Sequence, residues 1–413
     1  MKPKVTTGAI SILALLLLLG GPTACGGGGD ELPFGLKAET VASAQQVKPM
    51  VFAPDGRMFF AEQFLGNIRV LGADGQLQAD PFATVPVAQY VTLDWGITGL
   101  ALDPDFERNH YLYAFVTSPT GEGQPESEPV LIRFTDQDGR GVDEKVISDN
   151  FPQTFPEHQG YNANGNIHFG PDGFLYLSVG DYDTGKQPTP SATAAPAASP
   201  TATPPQLPLA QDLTTPVGKL LRVSKEDGSP APGNPFANDP AADPRIFAYG
   251  FREPFDFAFH PRTKAVYGTD NTPFTCEELN IIEAGKNYSW PNVGEFPYAD
   301  CSAEGQTPAL YYFAQEGKKP EDYLSFVETS SLAFVSGATY PTLGDSLLVC
   351  ELGSGVLRRL VLGGANFNQV TDDQVLVKDC KRGVTVSPDG IIYYSTETEI
   401  KKLIPPVSTP SGQ

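Results

Sequence analysis

Residues 157–181, EHQGYNANGNIHFGPDGFLYLSVGD, combine a loop that could carry reactive side chains with a turn and a strand. An imidazole is neutral near pH 7 and can take a proton from a hydroxyl group within hydrogen-bond reach. His158 falls in the loop, where it is either a reactive group or an ordinary exposed side chain. His168 falls in the strand, where packing or a structural pairing is expected. The segment therefore contains both a candidate base and a piece of scaffold.

The cysteines favour disulfides over a metal site. Apart from Cys25 there are four: Cys276, Cys301, Cys350 and Cys380. No CxxC or paired-histidine spacing points to zinc. In an oxidising compartment an even number of cysteines predicts disulfides, and four cysteines allow three connectivities. Pairing neighbours in sequence, Cys276 with Cys301 and Cys350 with Cys380, is the simplest of the three.

A repeated turn phrase predicts the scaffold that must position these residues. A short turn rich in Pro, Asp and Gly recurs six times, followed each time by an alternating apolar strand. Proline presets the turn and Asp-Gly completes it, while period-two patterning is typical of a half-buried strand. The phrases surround Pro54, Pro104, Pro171, Pro261, Pro341 and Pro388.

The composition predicts an all-β chain. The 413 residues include 42 glycines and 39 prolines, and no long amphipathic helix is evident. Six strand units suit a six-bladed β-propeller, in which loops surround a central channel, and a β-sandwich is the alternative. Residues 186–211 are rich in Pro, Thr and Ala, so we expect a disordered or extended insertion. An interdomain linker is the other interpretation, but strand phrases on both sides favour one continuous propeller.

The N-terminal residues predict export. Lys2 and Lys4 precede an apolar run too short to span a bilayer, which is typical of a signal peptide over residues 1–24. Small residues before Cys25 resemble a lipoprotein cleavage site, with a glycine tether over residues 25–37; plain secretion is the alternative. The net charge of −21 disfavours nucleic acid and anionic membranes. Membrane contact is therefore expected only through a lipid on Cys25.

Five segments, read in chain order, resemble the soluble glucose/sorbosone dehydrogenases. The resemblance covers about residues 38–403 and implies a propeller over residues 38–405, followed by a tail at 406–413. It also implies oxidation of a sugar or aldose hydroxyl with pyrroloquinoline quinone (PQQ) and calcium, and transfer of electrons to an external acceptor. The segments are WGITGLALDPDFERNHYLYAFV, GNIHFGPDGFLYLSVGD, GKLLRVSKEDGSPAPGNPF, IFAYGFREPFDFAFHPRT and EELNIIEAGKNYSWPNV.

The resemblance places the catalytic base of the family at Asn162. In the family this position is a histidine, which removes the hydroxyl proton as hydride moves to the quinone. An asparagine amide cannot accept that proton. His158 lies four residues upstream and is the candidate substitute.

The resemblance also assigns four positions to the cofactor. Arg252 and Arg382 match arginines that face the quinone and its carboxylates. Asn271 lies in the DNTPF turn beside the cofactor, and Asp94 falls where a Gln or Glu contacts the quinone region. Two cationic positions of the family are replaced, by Gly353 and Cys380, which should weaken binding of a tricarboxylate.

Calcium is implied at two places. Main-chain carbonyls of Thr272 and Pro273 match the turn that holds the ion polarising the quinone. A second ion in some relatives uses positions matching Glu278 and the main chain of Tyr288, with Asp270 as a further candidate. Oxygen donors of this kind suit a hard divalent cation, although such acids could equally be solvated loop residues.

Two functions remain open at this point. The first is an exported quinoprotein that oxidises a sugar hydroxyl. The second is a propeller of the same family that has lost oxidation and serves as a binding module for carbohydrate or protein. Retained arginines favour the first function, and Asn162, Gly353 and Cys380 favour the second.

Overall fold

The structure is a computed structural model that describes residues 32–88, 95–121, 127–153, 162–183, 208–273, 275–291, 301 and 307–406. Within them, 24 strands form six four-stranded antiparallel sheets. The first three sheets, in hydrogen-bonded order, are β2 (Val47–Phe52), β3 (Met58–Glu62), β4 (Asn67–Leu71), β5 (Ala83–Thr84); β6 (Ile97–Leu102), β7 (Tyr111–Pro119), β8 (Ser127–Gln137), β9 (Arg140–Ser148); and β10 (Asn164–Phe169), β11 (Leu175–Val179), β12 (Lys219–Val223), β13 (Ile246–Tyr249). The last three are β14 (Phe257–Phe259), β15 (Val266–Asp270), β16 (Glu278–Ile282), β17 (Tyr311–Tyr312); β18 (Thr329–Val335), β19 (Ser346–Glu351), β20 (Val356–Gly363), β21 (Gln369–Val377); and β22 (Val384–Val386), β23 (Ile392–Ser395), β24 (Glu399–Ile404), β1 (Lys37–Ser43).

The sheets are the blades of a six-bladed β-propeller, so the predicted fold class is confirmed. The first strand of each sheet contacts the first strand of the next, and β22 contacts β2, which closes the ring. Apolar side chains pack as six buried layers, one between each pair of neighbouring blades. Between blades 1 and 2, for example, Phe59 packs edge-on against Phe82 and Phe106. The core therefore consists of inter-blade layers that surround the channel.

The six repeated phrases form the same turn in every blade, the one between the innermost strand and the second strand. Gly56, Gly173 and Gly390 adopt positive φ angles of 86°, 80° and 86° in three of these turns. Glycine tolerates this region without steric cost, which explains the Asp-Gly pairs in the phrase. We call the end of the propeller that carries these turns the lower face, and the opposite end, where the innermost strands begin, the upper face.

The ring is closed by the two ends of the described chain. Strand β1 pairs with β24 as the outermost strand of blade 6, with Lys37 opposite Ile404. Helix is scarce within the described residues: the single α-helix, α1 (Phe106–Asn109), has four residues. None of the helices there has the length and apolarity that a bilayer crossing requires.

The final residues of the predicted insertion belong to the fold. Residues 184–207 lie outside the described part, but Leu209–Gln211 form a short 3-10 helix, so the predicted boundary at 211 is too late. The fully buried Lys219 explains the difference, because its Nζ donates hydrogen bonds to the carbonyls of Leu209 (2.9 Å), Ala210 (3.0 Å) and Val217 (2.6 Å). Leu209 and Ala210 are apolar enough to pack, unlike the Pro/Thr-rich residues before them.

Both disulfides have the predicted pairing. Cys276 is bonded to Cys301 across 25 residues. Cys350, in β19, is bonded to Cys380, in the loop before β22, across 30 residues. The second disulfide therefore ties blade 5 to blade 6 at the upper face.

Candidate functional site

Arg252 is the central cation of the upper face. It lies in the loop between β13 and β14, where its Nη1 donates to Glu253 Oε2 (3.2 Å) and to the carbonyl of Asn271 (2.9 Å). Its guanidinium is 5.9 Å from the Trp290 ring. Burial opposes the charge, but the surrounding carboxylates, Glu253 first and then Asp181, outweigh burial and raise the pKa of Arg252 above its ordinary value. Arg252 therefore stays charged at every accessible pH.

Asp181 connects Arg252 to Asn162. Asp181 Oδ1 accepts from Asn162 Nδ2 (2.8 Å), and its Oδ2 accepts from Trp290 Nε1 (2.7 Å). The Asp181 main-chain amide donates to the carbonyl of Arg252 (2.8 Å). Asn162 is buried and uses its amide as a donor toward this carboxylate. The Asn162 amide is therefore a fixed hydrogen-bond donor.

Asn271, predicted as a cofactor residue, uses its side chain to join blades 4 and 5. Its Oδ1 accepts from the Thr329 amide (3.0 Å) and hydroxyl (2.6 Å), and its Nδ2 donates to the Thr329 carbonyl (2.9 Å). The side chain of Asn271 thus fixes the turn to blade 5, and the main-chain carbonyl of Asn271 accepts from Arg252. The next residue, Thr272, donates its hydroxyl to the carbonyl of Thr275. The carbonyls of Thr272 and Pro273 accept no hydrogen bond from a described residue, which leaves these main-chain oxygens available.

Asp270 and Glu278 lie opposite each other on neighbouring strands β15 and β16. Burial raises the pKa of Asp270 to about 7, although its carboxylate accepts from the main-chain amides of Arg252 (3.1 Å) and Glu253 (2.7 Å). Burial, and then the charge of Asp270, raise the pKa of Glu278 to about 8. Two carboxyl groups that resist ionisation at adjacent buried positions indicate a place where a cation would be stabilising.

Asn280 is a member of this group that the sequence did not suggest. Its Nδ2 donates to Glu278 Oε2 (3.0 Å), while its buried Oδ1 has no hydrogen-bond partner among the described residues. Its place two residues after Glu278 in a strand puts both side chains on one face, which is the only sequence signal. Buried carboxylate and amide oxygens, one of them orphaned, are the donor set that Ca²⁺ takes. No group of three His, Cys, Asp or Glu suited to a metal occurs in the described ranges, so further donors from those ranges would be amide or carbonyl oxygens.

Tyr288 completes the surroundings of the two acids. Its ring stacks on Phe251 with centroids 4.7 Å apart, and its hydroxyl donates to the carbonyl of Ile281 (2.6 Å). The Tyr288 amide donates to the carbonyl of Tyr249 (2.8 Å), while the Tyr288 carbonyl accepts nothing from the described residues. The side chain is therefore structural, and only the main-chain oxygen is available to a ligand.

Arg382 provides the second cation of the upper face, on blade 6. Its Nε donates to Glu397 Oε2 (3.2 Å) and its Nη1 to Gln63 Oε1 (3.4 Å), and its guanidinium is 5.2 Å from the Phe64 ring. Cys380, two residues earlier, is fixed by its disulfide to Cys350. Arg382 is thus held at the seam between blades 6 and 1.

The Gly353 position leaves little room for a larger side chain. A Cβ atom there would lie 3.0 Å from the carbonyl oxygen of Val327 and 3.1 Å from Glu328 Oε2. A side chain at this position would require these neighbours to move by a few tenths of an ångström. Asp270, Glu278 and Asn280 supply oxygen donors that fit a calcium ion. Arg252 and Arg382 supply positive charge that fits a tricarboxylate.

Several predicted residues have other outcomes. His158, Asp94 and Cys25 lie outside the described residues. His168 pairs structurally, as predicted: its Nε2 lies 2.9 Å from Asp256 Oδ1. Asp256 also accepts from the Leu332 amide of blade 5 (2.8 Å), so it ties three blades together around the channel.

The chain belongs to the glucose/sorbosone dehydrogenase family, whose model matches residues 45–404. It is 23% identical to an aldose sugar dehydrogenase of Escherichia coli over 86% of this chain and 88% of that protein. It is 25% identical to quinoprotein glucose dehydrogenase B of Acinetobacter calcoaceticus over 81% of this chain and 73% of that protein. A solved structure from Thermus thermophilus, provisionally described as an oxidoreductase (glucose dehydrogenase), is 30% identical with a TM-score of 0.70, covering 90% of this chain and 100% of that chain.

Proposed function

We propose that this protein is an exported, quinoprotein-like sugar dehydrogenase that oxidises a sugar or aldose hydroxyl at the upper face of the propeller. The observation that carries the proposal is Arg252, a largely buried and permanently charged guanidinium placed beside the DNTPF turn. The match to the family over residues 45–404 gives the class of reaction. Relatives named as quinoprotein and aldose sugar dehydrogenases support PQQ as cofactor and a sugar as substrate.

In this proposal PQQ, when bound, supplies the acceptor for hydride. Arg252 and Arg382 hold its negative charges, since a fixed guanidinium stabilises charge that grows on reduction without reorganising. Arg252 also contacts the carboxylate of Glu253, and Arg382 contacts that of Glu397. The positive charge of each arginine is therefore divided between its carboxylate partner and the cofactor. Calcium is held by main-chain oxygens of Thr272 and Pro273, and a second ion by Glu278 and the carbonyl of Tyr288.

The proton acceptor in this proposal is His158. The argument is chemical: Asn162 donates its amide to Asp181 and has no basic nitrogen to take a hydroxyl proton. His158 is the nearest imidazole in sequence to that position. An external acceptor then removes the electrons.

A second candidate function is a binding propeller without oxidation. The hydrogen bond between Asn162 and Asp181 favours it, because it replaces the expected acid–base group by a fixed structural pair. Gly353 favours it too, since a glycine supplies no cation at a position where the family can have a lysine. Its ligand would be a carbohydrate or a protein bound by the upper-face loops.

Titration of the purified protein with PQQ, with and without calcium, separates the two functions. We expect calcium-dependent binding, followed by reduction of a redox dye when aldoses are added. Arg252→Gln should weaken PQQ binding, whereas Arg108→Gln, an exposed arginine of the lower face paired with Asp105, should not. Binding without dye reduction by any aldose would support the second function, and absence of PQQ binding would contradict the first.

Export and a lipid anchor are part of the proposal. The two disulfides support an oxidising compartment, where such bonds persist. We expect the N-terminal peptide of the mature protein to begin at a lipid-modified Cys25, and Cys25→Ala to release the protein from the membrane fraction. An unmodified N-terminal peptide recovered from the soluble fraction would instead indicate plain secretion.

A further inference from the structure

A cavity of about 420 Å³ opens on the lower face between blades 4 and 5, on the side of the propeller opposite to the candidate site. Its walls come from the lower ends of β14, β18 and β20 and from the turns that follow them. Phe334, Leu362 and Phe367 provide apolar surface. A volume of this size lies within the range of about 300–1,000 Å³ that is typical of pockets for small molecules. We call it the His260 cavity.

His260 is a buried polar group at the wall of this cavity. Its Nδ1 accepts hydrogen bonds from the main-chain amides of Arg262 (3.3 Å) and Thr263 (3.1 Å). Because Nδ1 is an acceptor, the neutral ring carries its proton on Nε2. Nε2 makes no hydrogen bond to a described residue, and His260 as a whole is 5% exposed. The turn thus fixes one tautomer and leaves an N–H donor without a protein partner.

Aromatic and charged groups surround this donor. The imidazole stacks on Phe367 with centroids 4.4 Å apart and meets Phe334 edge-on at 5.1 Å. The Arg262 guanidinium lies 4.5 Å from the Phe367 ring and pairs loosely with Asp345 at 3.5 Å. Both members of that pair are more than half exposed, so Asp345 screens the arginine only weakly. The mouth of the cavity therefore remains open to a second negative group.

We propose that the His260 cavity binds a small planar aromatic carboxylate. The aromatic ring of such a ligand packs against Phe334 and Phe367 in the offset or edge-on arrangements that aromatic pairs prefer. Its carboxylate accepts from His260 Nε2 and faces Arg262. A sugar fits less well, since its many hydroxyl groups would meet apolar walls on most sides. This site is separate from the upper face and independent of the proposed dehydrogenase activity.

Saturation-transfer NMR titration with benzoate tests the proposal on the purified protein. Benzamide serves as the planar neutral probe and cyclohexanecarboxylate as the non-planar anion. We expect benzoate to bind with a millimolar or lower dissociation constant and more tightly than either of the other probes. Arg262→Gln should weaken benzoate binding about five-fold, as the loss of one partly exposed charge contact predicts. Binding of benzamide should be unchanged in that variant.

His260→Asn removes the ring and its Nε2 while leaving a δ-oxygen that can accept from the same two amides. We expect benzoate binding to fall about ten-fold or more, since a charge-assisted hydrogen bond and a stacking partner are both lost. Arg108→Gln is the control, because this arginine is an exposed residue of the lower-face turn of blade 2 and also has an aspartate partner, Asp105. Absence of saturable benzoate binding to the unmodified protein would overturn the proposal. If both Arg262→Gln and His260→Asn bound benzoate as tightly as the unmodified protein does, the proposal would also be overturned, since the ligand would then occupy another surface.

Discussion

Asn162 Nδ2 and Asp181 Oδ1 are 2.8 Å apart, and this bond joins the loop before β10 to the turn after β11. The same carboxylate accepts from Trp290, so three loops of the upper face depend on one buried acid. In the proposed oxidation the family's base falls at Asn162. An amide fixed to Asp181 in this way takes no proton, so the proposed proton acceptor is a neighbouring side chain.

His158→Ala should therefore abolish turnover if the proposed oxidation occurs. We expect a loss of about 100-fold or more in dye reduction, the size typical of removing a general base. Asn162→Ala should retain most of the activity because its amide takes no proton. PQQ affinity, measured alongside, should be similar in both variants. Equal activity in His158→Ala and the unmodified protein would remove His158 from the mechanism.

Arg252→Gln should destabilise the fold as well as weaken binding of the cofactor. Removing one partner from a largely buried ion pair leaves the neighbouring carboxylates uncompensated, and costs of about 3 kcal/mol are typical. Denaturant unfolding measures this loss, with Arg108→Gln, whose side chain is 77% exposed, as the control expected to change little. A variant as stable as the unmodified protein would contradict this structural role of Arg252.

The stability of the calcium-free protein should fall as pH rises from about 5 to 8. Asp270 and Glu278 have folded-state pKa values of about 7 and 8, above those of unfolded carboxyl groups near 4. The folded protein therefore binds more protons in this window, and unfolding becomes easier as these protons are lost. Glu277, with a pKa raised by burial to about 8, adds to the same slope. The melting temperature, measured as a function of pH in the presence of a chelator, should therefore fall across this window.

Calcium should reduce that slope, because a divalent cation stabilises the ionised carboxylates. We expect a larger rise in melting temperature on adding calcium at pH 8 than at pH 6. Glu278→Gln should weaken the response to calcium while leaving the contribution of Glu277 intact. A response to calcium that is the same in Glu278→Gln would assign the ion to another set of oxygens.

Lys219→Met should loosen the chain segment that ends at Gln211. The three carbonyls that accept from Lys219 Nζ would lose a buried partner, at a cost of about 1–3 kcal/mol. Gln211, which donates to the carbonyl of Trp290 at 2.6 Å, should then be cleaved faster by proteases together with its neighbours. Lys286→Met, at an exposed side chain paired with Glu283, is the matched control. Unchanged protection of residues 208–211 would contradict the anchoring role.

Loss of the disulfide between Cys350 and Cys380 should disturb the position of Arg382 more than loss of the disulfide between Cys276 and Cys301 does. The double variant Cys350→Ala/Cys380→Ala should be less stable by about 3 kcal/mol, the typical value for a loop of this length. It should also weaken PQQ binding, since Cys380 is two residues from Arg382. The double variant Cys276→Ala/Cys301→Ala provides the comparison. Equal effects of the two variants on PQQ affinity would show that the cysteines near Arg382 do not position it.

Local patterns in the sequence were sufficient to predict the blades. The six Pro-containing turns and the period-two strands are properties of about ten consecutive residues each, and neighbouring cysteines paired as expected. The network around Asp181 was not predictable in this way, because Trp290 contacts it from 109 residues away. Asn280 was missed for another reason: an asparagine in a strand has no distinctive pattern, and its role depends on Asp270 of the neighbouring strand as well as on Glu278 of its own strand. Spacing along one strand says nothing about which residues of the neighbouring strand lie beside it.

The pairing of β1 with β24 has a consequence for how the chain reaches its folded state. Blade 6 is built from the first strand and the last three, so a nascent chain exposes an unpaired sheet edge until its final residues have been synthesised. Neither end can be trimmed back into these strands without opening the whole circle. A chain of this topology can close its ring only once the strands from both ends of the described chain are present.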